Sequence, residues 1–336
     1  MGNRTKLAAV VICMAVLFTL AFSEGGLRAY VRELKQGAET ASAKPRKPAA
    51  LPEAELAGLR ERIAAEAEQH RVAPIDARID RIWKAIPGYN GIEVDAQATF
   101  DRTVATGALS PIQFVYKEVP PKISLQSLGT YPVYRGNPEK KMAAIMINVA
   151  WGEEYLPSML ESLAKENVKA TFFLDGSWLN KNGETAKRIQ AEGHEMSNHA
   201  YSHPNMSELG KQAAYEQISK TEALLKSTLG ASNRWFAPPS GDFNQTTLQV
   251  AAEQGLMTVL WTVDTIDWQK PPPETILRRV ANKLTPGALI LMHPTASSRD
   301  ALPGIIRYVK EQGYALGTVS DTLSPSRIPS SVEPNL

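Results

Sequence analysis

Short apolar runs alternate with segments of helical periodicity along the chain from Met142 to Val319. Strands that are apolar on both faces are typical of a parallel sheet covered by helices on each side. Seven runs follow the pattern: residues 143–149, 168–174, 194–197, 234–237, 256–263, 288–292 and 314–319. The alternation predicts an α/β fold with seven β/α steps, and periodicity alone leaves open a closed barrel or an open doubly wound sheet.

The longest helical segment of this region carries signals at both ends. Ser207 is a good N-cap residue, and Gly230 follows the last apolar turn. We place the larger domain at residues 142–322. The remaining residues, 323–336, are rich in Ser and Pro and predict a disordered tail.

The N-terminal residues predict export. In residues 1–23, Arg4 and Lys6 precede an unbroken apolar run, which indicates a signal peptide or an uncleaved membrane anchor. Residues 24–51 are rich in Gly, Ala, Lys and Pro and predict a flexible linker. Either fate of residues 1–23 predicts an extracytoplasmic protein, secreted or anchored on the outer face of the cytoplasmic membrane.

Residues 52–133 predict a small α/β domain of unknown role. Residues 52–70 have helical spacing, residues 80–87 (DRIWKAIP) predict a short helix, and strand-like runs surround Ile92 and Phe114. A domain that packs on its neighbour is one interpretation, and a binding module is the other.

Charge and cysteine content exclude several functions. The formal net charge is +2, and removal of residues 1–23 takes away Arg4 and Lys6 and no acid, which leaves an exported part without net charge. This balance does not favour nucleic acid as a partner. Cys13 is the only cysteine, and no Gly-x-Ser-x-Gly element is present. Catalysis by a nucleophilic side chain therefore has little support.

Polar residues gather directly after the predicted strands. The carboxyl ends of parallel strands meet at one rim, so these side chains are expected to converge. They are Glu153 and Glu154 after the first run, Asp175 after the second, His199 and His203 after the third, Pro239, Ser240 and Gly241 after the fourth, Asp264, Asp267 and Trp268 after the fifth, and His293 after the sixth.

Two of these histidines have metal-ligand spacing. In His199-x-x-x-His203 both imidazoles can reach one divalent ion. Pro204 disfavours a helical conformation at His203, so we expect the pair on a turn. A lone histidine at a strand end is more often structural, but three on one rim favour a functional site.

Five ordered blocks, VKATFFL, GHEMSNHAYSHPNM, FAPPSG, WTVDTIDW and PGALILMHP, resemble the polysaccharide deacetylase (NodB homology, carbohydrate esterase 4) family, over about residues 142–320. The resemblance implies an irregular parallel (β/α)7 barrel and a divalent metal, usually zinc. It also implies removal of N-acetyl groups from peptidoglycan or a related cell-wall glycan. The block INVAWG and the approach RGNPEKK are similar to the YlxY-like, sporulation-associated subgroup of spore-forming Gram-positive bacteria.

The resemblance assigns roles position by position. It implies that His199 and His203 bind the metal and that His293 is the general acid that protonates the leaving amine. Asp264 and Asp267 lie in the block that, by the resemblance, supplies an acidic partner for that histidine. A neighbouring carboxylate raises the pKa of an imidazole.

The fourth run supplies the remaining groups. The backbone N–H of Ser240 matches the family's oxyanion donor. Pro239, Gly241 and Trp268 are expected to form walls of the substrate pocket.

The chain departs from the family at several of its functional positions. Ala150 and Trp151 replace two adjacent aspartates, one the general base and the other the third metal ligand, and neither side chain can accept a proton or bind zinc. Ala237 replaces an arginine, and Ser240 replaces a tyrosine. Two histidines alone would hold zinc weakly, because catalytic zinc sites usually have three protein ligands.

Other acids could complete the metal site. One hypothesis is that Asp175, Glu153 or Glu154 reaches the histidine pair. The alternative is that Asp175 caps a turn and that the two glutamates occupy the first turn of a helix, where the helix dipole favours them.

Two main functions are consistent with these observations. The first is a metal-dependent deacetylase of envelope glycan, supported by the retained histidines and acids. The second is a catalytically inactive relative that binds glycan or a protein partner at the same rim. A different hydrolase on the same scaffold is a third possibility with less support.

Overall fold

The computed structural model describes residues 52–328, so the predicted signal or anchor (1–23), the predicted linker (24–51) and residues 329–336 lie outside it. Within the described residues no helix is both long and apolar enough to cross a bilayer. The elements, in chain order, are α1 (Glu53–Ala67), β1 (Arg78–Asp80), β2 (Lys84–Ile86), β3 (Gly91–Val94), α2 (Ala96–Ala105), β4 (Tyr116–Val119), β5 (Met142–Val149), α3 (Leu156–Lys165), β6 (Thr171–Leu174), α4 (Gly176–Lys181), α5 (Gly183–Ala191), β7 (Glu195–Asn198), α6 (Lys211–Leu229), β8 (Trp235–Phe236), α7 (Gln245–Glu253), β9 (Met257–Thr258), β10 (Val263–Asp264), α8 (Pro273–Lys283), β11 (Ala288–Met292), α9 (Ala296–Glu311), β12 (Ala315–Gly317) and α10 (Val319–Leu323).

Eight parallel strands form the main sheet, in the order β10-β11-β5-β6-β7-β8-β9, with β12 paired to the first residues of β5. The predicted run 256–263 is not one strand, because β9 and β10 occupy opposite ends of this order. The four residues between them, 259–262, carry the chain from one edge of the sheet to the other. The sheet is therefore curled into the irregular (β/α)7 barrel that the resemblance implied.

Val133, from the segment before β5, lies at the seam of this barrel. Its N–H donates to the carbonyl of Thr258 (2.9 Å), and its carbonyl accepts from the N–H of Leu260 (2.8 Å). On the other side of the seam, the N–H of Thr262 donates to the carbonyl of Leu289 in β11 (3.0 Å). The N–H of Gly136 donates to the carbonyl of Gly287, just before β11 (2.8 Å), so residues that precede the first strand help to close the barrel.

Strand β5 is apolar on both faces because each face packs against a different hydrophobic layer. Ile145, Ile147 and Val149 are fully buried in the layer between the sheet and the helices. Ala144 and Met146 are fully buried in a second cluster, which fills the barrel interior. Neighbouring residues of β5 therefore pack against opposite layers, as the alternation of side chains along a strand requires.

The structure of residues 52–133 differs from the prediction in several places. Residues 80–87 do not form a helix, because Asp80 accepts hydrogen bonds from the N–H groups of Ile82 and Trp83 (2.7 and 2.8 Å) and so makes the turn of the β1–β2 hairpin. The helix α2 was not predicted, and the strand expected around Phe114 begins at Tyr116. The chain from Arg62 onward forms one compact unit, which includes residues 62–133 and the barrel.

For helix α6, the predicted C-terminal end is correct and the predicted N-terminal end is not. The helix begins at Lys211 rather than after Ser207, because Ser207 lies in a separate 3-10 turn and binds the carboxylate of Asp242 through its N–H (2.7 Å) and hydroxyl (2.8 Å). Gly230 ends the helix in the left-handed conformation (φ 61°), as expected.

The prediction of a disordered tail is wrong for residues 323–328, which are ordered in the structure. The N–H of Asn90 donates to the carbonyl of Pro325 (2.8 Å), and the side chain of Arg327 donates to the carbonyl of Asn90 (2.7 Å). The guanidinium also lies 4.1 Å from the centroid of the Tyr89 ring. These contacts hold residues 324–328 against the region of β3.

Candidate functional site

A pocket of about 370 Å³ opens at the carboxyl ends of the barrel strands. Three tryptophans and several polar groups meet there, which is the usual make-up of a small-molecule site. Its lining consists of Asn148, Trp151, His203, Ser240, Trp261, Asp264, Trp268, Leu291 and His293.

His293 and Asp267 form a coupled pair at this pocket. Asp267 is fully buried, and its Oδ1 lies 2.7 Å from Nδ1 of His293. Its Oδ2 accepts from the backbone N–H of His293 (2.5 Å) and from the hydroxyl of Ser298. Because Asp267 accepts a hydrogen bond from Nδ1, it fixes the tautomer that leaves Nε2 available for proton transfer.

The structure distinguishes the two acids of the WTVDTIDW block. Asp267 is the partner of the histidine, whereas Oδ1 of Asp264 accepts from the N–H of Ile266 (2.7 Å) and Asp264 lines the pocket. Ile266 has a positive φ (52°), which is costly for a β-branched residue and is often retained only at functional sites. Ser298 supports Asp267 from helix α9, and no sequence signal pointed to it.

His199 and His203 lie together on a turn, as predicted. Their ring centroids are 5.2 Å apart, and His203 has a left-handed backbone (φ 54°). Nδ1 of the buried His199 donates to the carbonyl of Ala237 (2.7 Å), which leaves Nε2 as an acceptor. Burial, with a smaller contribution from His203, lowers the pKa of His199 to about 3 and keeps the imidazole neutral.

The acids proposed as compensating metal ligands have other positions. Asp175 caps helix α4 and accepts from the N–H of Trp178 (3.0 Å) and the hydroxyl of Ser177 (2.6 Å). Glu153 and Glu154 are exposed in a single 3-10 turn that leads into α3. Among residues 52–328 no group of three His, Cys, Asp or Glu side chains is placed to hold a metal ion.

The donor set therefore does not fit a catalytic metal. Two imidazoles fall short of the three protein ligands that such zinc sites usually have. The residues at this rim support no reaction step that would pass through a bound metal.

Trp151, at the position to which the resemblance assigned the third ligand, lines the pocket. Its ring stacks on that of His293, with centroids 6.0 Å apart and planes 8° from parallel. The side chain is 44% exposed, so one face of the indole remains open to the pocket. Gly152 follows with a positive φ (80°), and a Cβ there would lie 2.0 Å from the carbonyl oxygen of Pro294. Only glycine fits this turn.

The fourth run contributes one lining residue. Ser240 lines the pocket and has a positive φ (57°), while Pro239 is buried and Gly241 packs against the ring of Trp261. Of the three residues expected to form walls, Trp268 does so and is 55% exposed, whereas Pro239 and Gly241 are not among the lining residues.

Sequence reasoning missed three lining residues, Asn148, Trp261 and Leu291, the last of which lies within a predicted strand. Trp261 was assigned to a continuous strand, and the break between β9 and β10 turns it into the pocket. Asn148 was hidden inside the apolar run of β5, and its polarity within that run was the available signal.

Comparisons with known proteins identify relatives of this chain. The sequence profile of the Polysaccharide deacetylase family matches residues 135–259. The uncharacterized protein YlxY of Bacillus subtilis (strain 168) is 46% identical over 270 residues, which are 80% of this chain and 85% of YlxY. The chain belongs to the polysaccharide deacetylase family.

Relatives within the polysaccharide deacetylase family differ in activity. A peptidoglycan-N-acetylglucosamine deacetylase of Bacillus cereus is 38% identical over 179 residues, or 52% of this chain and 65% of that enzyme. BA3943 of Bacillus anthracis is described as a carbohydrate esterase 4 family pseudoenzyme. Its crystal structure is 44% identical and matches with a TM-score of 0.73 over 80% of this chain and 96% of that chain. A BA3943 mutant with restored enzymatic activity matches with a TM-score of 0.73, 43% identity, and coverage of 80% and 99%.

Proposed function

We propose that this protein binds N-acetylated envelope glycan of the peptidoglycan type in a deacetylase-derived pocket and does not hydrolyse it. The observation that carries the proposal is the pair Ala150 and Trp151, which stand where the family has its base and third metal ligand. A pocket without these two carboxylates keeps groups that can bind an amino sugar but lacks the two groups that the family resemblance assigns to the base and the third metal ligand.

The lining supports a sugar ligand. Pyranose rings have apolar faces of C–H groups and polar edges, and a cleft of exposed indoles with a few hydrogen-bonding groups matches both. Trp151 and Trp268 offer the aromatic surface, while Asp264, Ser240 and His203 offer polar contacts.

The N-terminal sequence and the relatives support an envelope setting. A signal or anchor in residues 1–23 would place the domain outside the cytoplasmic membrane, where peptidoglycan lies. The similarity to the YlxY-like subgroup supports a role in sporulation.

Calorimetric titration of the purified full chain with an N-acetylglucosamine tetramer tests binding. We expect saturable binding that falls about tenfold in Trp268→Ala, because the ring would lose its stacking area. Tyr131→Ala is the matched control, since Tyr131 is 42% exposed but does not line the pocket. Absence of saturable binding, or equal losses in both variants, would overturn the proposal.

A deacetylase is the second candidate, and the intact Asp267–His293 pair favours it. Acetate release by the full chain with added zinc, abolished by His293→Ala, would establish this candidate. If the protein only binds glycan, the wild type should release no more acetate than His293→Ala.

A further inference from the structure

Asn148 lies at the floor of the pocket and is not among the residues to which the family resemblance assigns a role. It is the last inward-facing residue of β5, following Ala144 and Met146, which are buried in the barrel interior. The residue is only 3% exposed, yet it lines the pocket. Its side chain therefore faces the pocket at the end of β5.

The amide of Asn148 is unsatisfied within the described residues. Its Oδ1 is buried and accepts no hydrogen bond. Among the other buried asparagines, Asn90 also has an unpaired Oδ1. Both ends of the amide are bonded in Asn137, to Pro87 and Glu139, and in Asn198, to Ile218, Glu222 and Ala200. A buried amide without a partner is costly, and such groups often mark a site where another molecule completes the bonding.

The surroundings of this amide are apolar. Its register partner on β6 is Phe173, which belongs to the interior cluster, and Leu291 of β11 lines the pocket beside it. Trp151 supplies an aromatic wall. The floor thus offers one neutral group that can both donate and accept, set among surfaces suited to a methyl group.

We propose that the carboxamide of Asn148 is a specificity-determining group that pairs with the acetamido group of the bound amino sugar. This inference rests on the proposed glycan binding and deepens it. An acetamido group has one N–H donor and one carbonyl acceptor, and a carboxamide presents the complementary pair in one plane. A free amino sugar lacks the carbonyl, so the N–H of Asn148 would lose its acceptor, and sites built on such bonds discriminate strongly.

Titrations with two tetramers, one of N-acetylglucosamine and one of glucosamine, test the inference. We expect the full chain to bind the N-acetylated tetramer more tightly. Asn148→Leu, of similar size, should lower that affinity about tenfold and leave the glucosamine affinity within about twofold, because one ligand amide loses its partner. Asn282→Leu, at an exposed position of α8, is the matched control and should change neither affinity.

A second variant tests ligand preference, which would not change if Asn148 had only a structural role. Asn148→Asp keeps the shape but presents a carboxylate, which favours an ammonium over an acetamide. We expect this variant to reverse the preference toward the glucosamine tetramer. Circular dichroism and thermal unfolding identify whichever variant is folded, and either one is sufficient for the comparison.

The outcomes separate the inference from the proposed function. If the wild type binds the N-acetylated tetramer and both folded variants keep its preference, Asn148 does not select the acetamido group and the inference is overturned. If the wild type binds neither tetramer, the proposed function fails and the inference with it. Loss of preference in Asn148→Leu or its reversal in Asn148→Asp supports the inference.

Discussion

Ala150 and Trp151 come directly after the central strand β5, at the positions where the family's two aspartates stand. Gly152 holds this turn in a backbone conformation that only glycine accepts easily, and Asp267 and His293 form a hydrogen-bonded pair. The turn and the Asp267–His293 pair are thus well defined although the two aspartates expected from the resemblance are absent. This combination makes the consequences of restoring single side chains predictable.

The double substitution Ala150→Asp, Trp151→Asp should create a zinc-dependent deacetylase. One aspartate would complete a three-ligand set with His199 and His203, and the other would supply the base, a contribution of about 100-fold or more in rate. Zinc titration and acetate release from the N-acetylglucosamine tetramer measure the two effects. Trp151→Asp alone should bind zinc without matching the rate, and failure of the double variant to bind zinc would show that the turn cannot aim a carboxylate at the histidines.

His194 gives the fold a predicted pH dependence. Burial, followed by Lys169, lowers the pKa of this imidazole from 6.5 to about 4, and its Nδ1 accepts from the N–H of Ala170 (3.2 Å). The folded state keeps the ring neutral while the unfolded chain takes up a proton below pH 6.5, so stability is lost as the pH falls toward 4. We expect a loss of roughly 2 kcal/mol from this residue, after allowance for solvent screening.

Urea unfolding at pH 7 and pH 4.5 measures this loss. His194→Asn keeps an acceptor near the Nδ1 position but does not titrate, so its free energy of unfolding should fall less between the two pH values than that of the wild type. Equal falls in the two proteins would mean that His194 does not contribute to the acid sensitivity.

At the scale of elements, the turn between β5 and α3 positions a side chain of the site. It brings Trp151 onto His293 because Gly152 adopts a positive φ against the loop after β11. Helix α6 ends at Gly230 with a similar backbone (φ 61°), but a Cβ there would contact nothing within 4 Å. The two glycines share a conformation and differ only in their neighbours.

Alanine substitutions at these glycines should therefore differ in cost. Gly230→Ala should lower the free energy of unfolding by about 1 kcal/mol, from the left-handed backbone alone. Gly152→Ala should cost about 3 kcal/mol, because the clash with the carbonyl of Pro294 adds to the same strain. Chemical denaturation of both variants makes the comparison, and similar losses would show that the loop after β11 moves away freely.

At the scale of the whole molecule, residues on both sides of the barrel sequence complete the compact unit. Residues 133–136 bridge the seam, since Val133 pairs with Thr258 and Leu260 while the N–H of Gly136 donates to the carbonyl of Gly287. Arg327 joins the residues after α10 to the region of β3. The segment predicted as a separate domain is therefore integrated with the barrel from Arg62 onward. Stability of the barrel should depend on contacts far from its own strands.

Arg327→Ala should lower the free energy of unfolding by about 1–2 kcal/mol, because it removes the hydrogen bond to Asn90 and the cation–π contact with Tyr89. Arg327→Lys should recover only part of this loss, since an ammonium cannot reproduce the planar stacking. Thermal and urea unfolding provide the measurement. An unchanged stability in Arg327→Ala would mean that residues 324–328 add nothing to the fold.

The sequence by itself determined the order of β/α steps, the gathering of polar groups at one rim, and the pairing of His199 with His203. These features are local: apolar runs mark buried strands, and short spacings bring neighbouring side chains together. The family resemblance added the barrel and the roles of His293 and its acid partner. The departures at Ala150 and Trp151 were likewise visible as residue types.

Only the tertiary structure decided which acid serves His293, that Trp151 lies over that ring, and that Asn148 has no partner on the pocket floor within the described residues. It also decided that Asp175 caps a helix, that residues 80–87 form part of a hairpin, and that residues 133–136 cross the seam. Each depends on groups distant in sequence or on a turn set by side-chain hydrogen bonds. Periodicity reports whether a residue is buried, but it cannot report which residue it is buried against.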